Sequence, residues 1–448
     1  SGQEREIPRN AQSRWRPGPP STRWRDKGMK VCKALLAVLI VFWAIPGTWS
    51  AQAEEEVSVQ ARYAGAADLQ TMQVLYEKNA EAKLYPASLT KVLTALTAME
   101  RISDLDETIT ITAAMLEGLE DGTYSIAGFL LGEEVTVRDL LYGVLLPSGA
   151  DACQALAIAL FGSEEAMVEA MNETASSIGM THSHFTNTVG MHDADHYTSV
   201  SDLFLLMKQA WQNDTLHTIM STASYTTSSS YYHGEGLRLE NSWVAQFAYD
   251  ELENRYVLGG KTGYTPEAGY CLASVCEIQG REVIVIIAGV PDEAGSGQAV
   301  EDVDSLCAMI DETMRPQMLL EAGTEADVLD LRHTFHEPLP ICSDIDVTAW
   351  IRTDSEAEAV LSVRREVTQA PVSEGEEIAA IEVTLGDALL ISLSVLAQED
   401  IAADTAAVII DTIQDVMMPW GFLFCVGAGA ALLFVRHGRS KDKKKEGI

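Results

Sequence analysis

The stretch Pro86-Ala87-Ser88-Leu89-Thr90-Lys91 decides how the rest of the chain is read. It leads into a helical period that runs to about residue 100, so Ser88 opens a helix and Lys91 follows one turn later. The i,i+3 spacing places both side chains on one face, close enough to interact. A serine hydroxyl becomes a nucleophile only beside a base. A lysine is such a base when desolvation and nearby positive charge lower its pKa. The helix N-terminus adds backbone N–H groups for a developing oxyanion. Taken alone, S-x-x-K is weak evidence, because many surface helices contain it by chance.

Two further stretches give it context. Pro147-Ser148-Gly149-Ala150-Asp151 lies between predicted helices and by itself reads as a turn and helix cap. Gly260-Lys261-Thr262-Gly263-Tyr264-Thr265 precedes a predicted hairpin and by itself reads as a surface loop. Their order is the informative feature: S-x-x-K, a serine turn 60 residues on, then K-T-G 113 residues after that.

Around these stretches the helical period predicts helices over 137–146, 151–161, 164–178, 199–212 and 298–314. The apolar runs 269–277 and 282–290, the second strongly β-branched, flank Gln279-Gly280 and read as an antiparallel hairpin. From about 326 to 403 the helical period gives way to short alternating segments at 347–352, 359–363, 378–385 and 389–395, which predicts a small β domain. The expected fold is therefore mixed α/β (α+β): an antiparallel sheet flanked by helices, followed by a β domain.

The chain has 448 residues, 31 Lys+Arg, 66 Asp+Glu and a formal net charge of -35. Its length exceeds one ordinary core, and its 47% hydrophobic content excludes wholesale disorder. Residues 1–53 and 436–448 are basic, leaving 16 basic and 61 acidic residues in 54–435. Such an acidic body argues against nucleic acid as a partner. Each basic end adjoins an apolar run. The first, 34–45, is too short to span a bilayer comfortably and is followed by Ala51-Gln52-Ala53. It reads as a signal peptide cleaved after Ala53, with Met29 as a start and 1–28 as upstream sequence. The second, 416–435, has the length and neutrality of a transmembrane helix, and the basic tail 436–448 marks the cytoplasmic side. The expected organisation is a signal segment over 1–53, a catalytic domain over 54–322, a β domain over 323–403, a linker over 404–415, a membrane helix over 416–435 and a cytoplasmic tail over 436–448. The body between the two apolar runs is then extracytoplasmic. With Cys32, just before the first run, and Cys425, inside the second, set aside, five cysteines remain, an odd number at irregular spacing, so no disulfide framework follows.

On its three motifs the chain resembles the low-molecular-mass penicillin-binding proteins that are serine-type D-alanyl-D-alanine carboxypeptidases. Leu75-Tyr76-Glu77-Lys78-Asn79, the run 132–146, His192-Asp193-Ala194-Asp195-His196-Tyr197 and Gly269-Tyr270 extend the likeness over about 54–320. The resemblance implies a fold like those of the serine β-lactamases and penicillin-binding proteins. It also implies Ser88 as acylated nucleophile, Lys91 as its base, and Ser148 as proton relay to the leaving D-alanine. Lys261 and Thr262 would bind the terminal carboxylate, Gly263 would keep the strand edge open, and the N–H groups of Ser88 and Tyr264 would form the oxyanion hole. The implied partners are peptidoglycan stem peptides and β-lactams, with no cofactor. One departure stands out: Ala150 occupies a position where the family usually has Asn. A catalytically weak penicillin-binding scaffold is therefore a competing reading, and a serine β-lactamase is another. His182, His184, His192 and His196 cluster in sequence, but they lack H-E-x-x-H spacing and read as a structural loop rather than a metal site.

Overall fold

A computed structural model describes residues 58–119, 122–356 and 358–412. The predicted signal segment and the apolar run 416–435 with its basic tail lie outside the described residues. In chain order the strands are β1 (Tyr63–Asp68), β2 (Val74–Lys78), β3 (Thr108–Thr110), β4 (Glu134–Thr136), β5 (Ser224–Thr226), β6 (Arg238–Glu240), β7 (Val257–Thr265), β8 (Gly269–Ile278) and β9 (Arg281–Val290). A second group follows: β10 (Met314–Leu320), β11 (Glu325–Leu329), β12 (Leu339–Cys342), β13 (Val347–Arg352), β14 (Ala359–Arg365), β15 (Glu377–Leu385) and β16 (Ala388–Leu396). The helices are α1 (Thr90–Met99), α2 (Val137–Leu145), α3 (Ala150–Leu156), α4 (Glu164–Ser177), α5 (Val200–Gln212), α6 (Asp214–Ser221), α7 (Ser242–Tyr249) and α8 (Gln298–Thr313).

The central sheet has the order β2-β1-β9-β8-β7 and is antiparallel throughout. β8 and β9 form the hairpin that their sequence predicts. Gln279 and Gly280 turn it with φ of 50° and 74°, as a two-residue turn matched to strand twist requires. Both strands are continuously apolar because both faces of the sheet are covered. Ile284, Ile286 and Ala288 of β9 join Ala273 and Val275 of β8 in the core beneath α1–α5. Their alternates Val283, Val285 and Ile287 join Leu272 and Cys276 in a second core beneath α8. This period-2 division also puts Cys271 and Cys276 on opposite faces. Gly65 of β1 lets α5 approach: a Cβ there would lie 2.6 Å from the Phe204 ring.

Side-chain caps start several of the helices. Thr136 accepts from Asp139 N at 3.0 Å and Asp139 Oδ2 accepts from Thr136 N at 3.0 Å, a reciprocal capping box at the head of α2. Ser163 and Ser199 cap α4 and α5 in the same general way.

The C-terminal strands form three small sheets around a separate core of Leu329, Ile341, Val347, Ile381 and their neighbours. β10 leaves α8 directly and pairs with β13. One residue of β13, Trp350, crosses into the core beneath α8. Its N–H donates to Gln73 Oε1 at 2.7 Å, its carbonyl accepts from Gln73 Nε2 at 2.7 Å, and its indole N–H donates to Asp68 Oδ2 at 2.9 Å. Among the described residues, no helix is long and apolar enough to cross a membrane.

Candidate active site

Ser88 lies in a single 3-10 turn, Ala87–Leu89, that runs straight into α1. Ala87 is left-handed, with φ of 46°. The helical period thus placed the element correctly, but Ser88 sits on a tight turn ahead of α1 rather than in its regular part. Lys91 projects from the first turn of α1. Its Nζ lies 3.0 Å from Ser88 Oγ and donates to Val189 O at 2.8 Å. Val189 is held there by a knot of polar contacts. Asn187 Oδ1 accepts from the N–H groups of Gly190 and Met191 at 2.8 and 3.0 Å, and Thr94 Oγ1 donates to Thr188 O at 2.6 Å. Gly190 has φ of +84°, and a Cβ there would fall 1.8 Å from Ala87 O. Only glycine lets this loop press against the Ser88 turn.

The second motif comes in from the other side. Ser148 also adopts a left-handed backbone, φ 66°, and its Oγ is buried with no hydrogen-bond partner. Strained backbone at two motif positions, Ala87 and Ser148, fits a site held by its surroundings. Ala150 is fully buried at the start of α3, so the position offers the cleft no polar side chain. The Asp151 carboxylate turns away from the cleft, as its place on the helix predicts, and accepts from the N–H groups of Ala127, Gly128 and Phe129.

The K-T-G motif occupies the edge strand β7, not a loop. Period-2 alternation sends Lys261 and Gly263 to the face that meets the Ser88 turn. An ideal Cβ on Gly263 would lie 3.1 Å from Ser88 N and 3.2 Å from Pro86 O. Lys261 is fully buried and its Nζ donates to Thr262 O at 3.0 Å. Thr262 faces the other way and donates to Ser242 Oγ of α7 at 2.7 Å. Tyr264 is partly exposed, stacks on Tyr270 at 4.5 Å between ring centroids, and donates from its hydroxyl to Asp292 Oδ2 at 3.1 Å.

Burial pushes Lys91 below the ordinary lysine range, against the opposing pull of Cys153 and Asp151. Burial pushes Lys261 further down, and the neighbouring charge of Lys91 adds to it. The physical cause common to both is desolvation, which disfavours the ammonium form in a dry site. Two cavities of about 320 and 420 Å³ flank Ser88, and Thr123, Ser125 and Tyr264 line both. They form one cleft with the serine at its waist. Ser242 of α7 and the loop carrying Thr123 and Ser125 belong to this cleft. No motif marks them in the sequence, since they are ordinary polar residues brought there by packing.

The histidines have separate partners. His196 Nδ1 accepts from Thr186 N at 3.1 Å, so its Nε2–H donates to Thr90 Oγ1 at 2.8 Å. Burial lowers its pKa to about 4, so the ring is neutral and braces the loop against α1. His182 sits beside Glu81 at 3.3 Å, His184 Nδ1 meets Asp195 O at 2.7 Å, and His192 packs edge-on to Tyr85. Among the described residues, no group of three or more His, Cys, Asp or Glu could hold a metal ion.

A buried lysine against a serine on a helix-opening turn, facing a K-T-G edge strand across a cleft, is an arrangement able to support serine acyl transfer. The family model for D-alanyl-D-alanine carboxypeptidases matches residues 50–292, and the chain belongs to that family. The D-alanyl-D-alanine carboxypeptidase DacF of Bacillus subtilis is 32% identical over 268 residues, covering 57% of this chain. The match spans 64% of that relative's own length. The D-alanyl-D-alanine carboxypeptidase of Streptomyces sp. strain K15 is 31% identical over 223 residues, covering 48% of this chain and 75% of that protein. In three dimensions, penicillin binding protein 5 from Haemophilus influenzae superposes with a TM-score of 0.62 over 77% of this chain and 98% of that one, at 24% identity. That likeness concerns the fold.

Proposed function

We propose that the chain removes the terminal D-alanine from peptidoglycan stem peptides through a Ser88 acyl-enzyme, and that penicillins acylate the same serine. The observation that carries this reading is the 3.0 Å contact between Lys91 Nζ and Ser88 Oγ. Neutral Lys91 takes the Ser88 proton as Oγ attacks the carbonyl carbon of the D-Ala-D-Ala amide. The backbone N–H groups of Ser88 and Tyr264 receive the developing oxyanion. The C–N bond breaks, and the departing amine takes a proton relayed through Ser148. Lys91 then takes a proton from water, the hydroxide attacks the ester carbonyl, the C–O bond to Ser88 breaks, and Lys91 gives the proton to Ser88 Oγ. Lys261, protonated on meeting the substrate's carboxylate, and Thr262 hold the anionic end of the peptide.

The extracytoplasmic body is tethered by the apolar run 416–435, with the tail 436–448 inside. The support is the run's length, its lack of charge and the basic residues after it.

The experiment is incubation of the full chain with a pentapeptide ending in D-Ala-D-Ala. Release of one equivalent of D-alanine per peptide is expected, and Ser88→Ala should abolish both release and labelling by a fluorescent penicillin. Labelling that survives Ser88→Ala would remove Ser88 as nucleophile. A second reading, a penicillin-binding scaffold with little turnover, is favoured by the unpartnered Ser148 hydroxyl next to Ala150. Stable penicillin labelling with no D-alanine release would select it, and rapid penicillin turnover would select a β-lactamase.

A further inference from the structure

The Asp151 carboxylate is 3% exposed and its hydrogen bonds come from backbone amides. Its Oδ1 accepts from Ala127 N at 2.7 Å and its Oδ2 accepts from Gly128 N at 2.8 Å and Phe129 N at 3.1 Å. Three consecutive amides therefore converge on one side chain. The adjoining residue completes the attachment: Ala150 N–H donates to Ser125 O at 2.8 Å. Two glycines make room for it. A Cβ at Gly149 would lie 2.7 Å from Ala127 N and 2.7 Å from Asp151 Oδ1, and one at Gly143 would lie 2.7 Å from the Phe129 ring. Residues 125–129 are thus pressed onto the second-motif turn itself.

The clamped segment borders the reacting serine. Ser125 lines both cavities that flank Ser88, and it is itself exposed. Its carbonyl is bound by the amide of the residue whose side chain offers no polar atom, Ala150. We propose that Asp151 is a positioning residue: its three N–H bonds hold residues 125–129 as one wall of the cleft, so that the Ser125 hydroxyl meets the substrate peptide beside Ser88, where Ala150 cannot. The proposal rests on the carboxypeptidase reading for the identity of the peptide, while the wall itself follows from the contacts. A carboxylate that served only to satisfy loop amides would affect folding but not the affinity of the folded enzyme for its peptide.

The test compares Asp151→Asn and Ser125→Ala in the full chain. Asp151→Asn loses the charge and one acceptor oxygen, so the amides of 127–129 should exchange hydrogen at least about tenfold faster, as expected when a buried acceptor is lost. KM for a D-Ala-D-Ala pentapeptide should rise about tenfold with kcat changed less than about threefold, the pattern of lost binding rather than lost chemistry. Ser125→Ala, which leaves the clamp intact, should raise KM similarly without altering exchange. An unchanged KM in Ser125→Ala overturns the proposal, as does a fall in kcat at constant KM in Asp151→Asn. If Asp151→Asn does not fold, Ser125→Ala decides alone. If the unaltered chain releases no D-alanine, the carboxypeptidase reading fails separately. The second-order rate of Ser88 acylation by a fluorescent penicillin then reports on the wall, and equal rates in Ser125→Ala and the unaltered chain overturn it.

Discussion

Lys91 and Lys261 are two enclosed lysines within a strongly acidic body. Burial has opposite consequences for their roles. For Lys91 it suits the proposed role, because a depressed pKa makes the neutral amine, the form that takes a proton, more readily available. For Lys261 it is a handicap that an incoming carboxylate relieves. The rate of penicillin acylation should therefore climb with pH as Lys91 deprotonates and level off below 10.5, the ordinary lysine value. A profile still rising steeply up to that value would mean that Lys91 is not the base. Ala150→Asn should raise kcat/KM about fivefold, since a buried hydroxyl without a partner gains one and neutral hydrogen bonds contribute about 1 kcal/mol. Steady-state kinetics on the pentapeptide check this, and an unchanged value would mean that Ser148 finds its partner in the substrate.

At the scale of elements, the site is an intersection of four pieces: the 3-10 turn before α1, the turn into α3, the edge strand β7 and the loop 186–191. Glycine allows the close approaches. Gly263 lets the edge strand lie against the Ser88 turn, and Gly190 lets the loop that holds Val189 O touch Ala87. Gly190→Ala meets a carbonyl oxygen at 1.8 Å and a left-handed φ, so both the turn and the loop must shift. The expected result is a loss of at least about a hundredfold in acylation rate, because misplacement of about 1 Å has that effect on catalysis. Retained acylation by stopped-flow penicillin binding would show that the turn holds its shape without this contact.

At the scale of the whole molecule, the C-terminal strands are fastened to the central sheet by a small polar network as well as by strand β10. Asp68 accepts from Arg281, from Thr71 and from the Trp350 indole, and Gln73 pairs with the Trp350 backbone. Burial alone pushes the Asp68 carboxyl up, but Arg281, Thr71 and Trp350 together hold it below its ordinary value. The unfolded chain therefore binds a proton more readily. The network's contribution is complete above the ordinary carboxyl value of 3.8 and is lost as pH falls through the lower folded value. Trp350→Phe removes one donor to a buried carboxylate and should destabilise by about 1–3 kcal/mol at neutral pH. Calorimetry at pH 7 and in acid should show the difference shrinking as Asp68 protonates. A difference independent of pH would assign the effect to packing alone.

Much of this was legible along the chain because it depends on local period and spacing. The i,i+3 pair of Ser88 and Lys91, the hairpin around Gln279-Gly280 and the alternating strands after residue 326 each express a regularity that short-range sterics impose on sequence. The three motifs named the partners of the cleft, but not the geometry that joins them. Ser148 is brought to Ser88 by the packing of α2 and α3, and Lys261 by an antiparallel register that begins at residue 63. The wall built by Asp151, Ser242 behind Thr262 and the Trp350 clasp were not visible, because their residues are common polar or aromatic types with no periodic signal. Sequence by itself pointed to the class of chemistry and to those helices and strands that carry a clear period. Tertiary structure alone decided that two lysines share one dry site, since desolvation is a property of what surrounds a charge and not of its place in the chain.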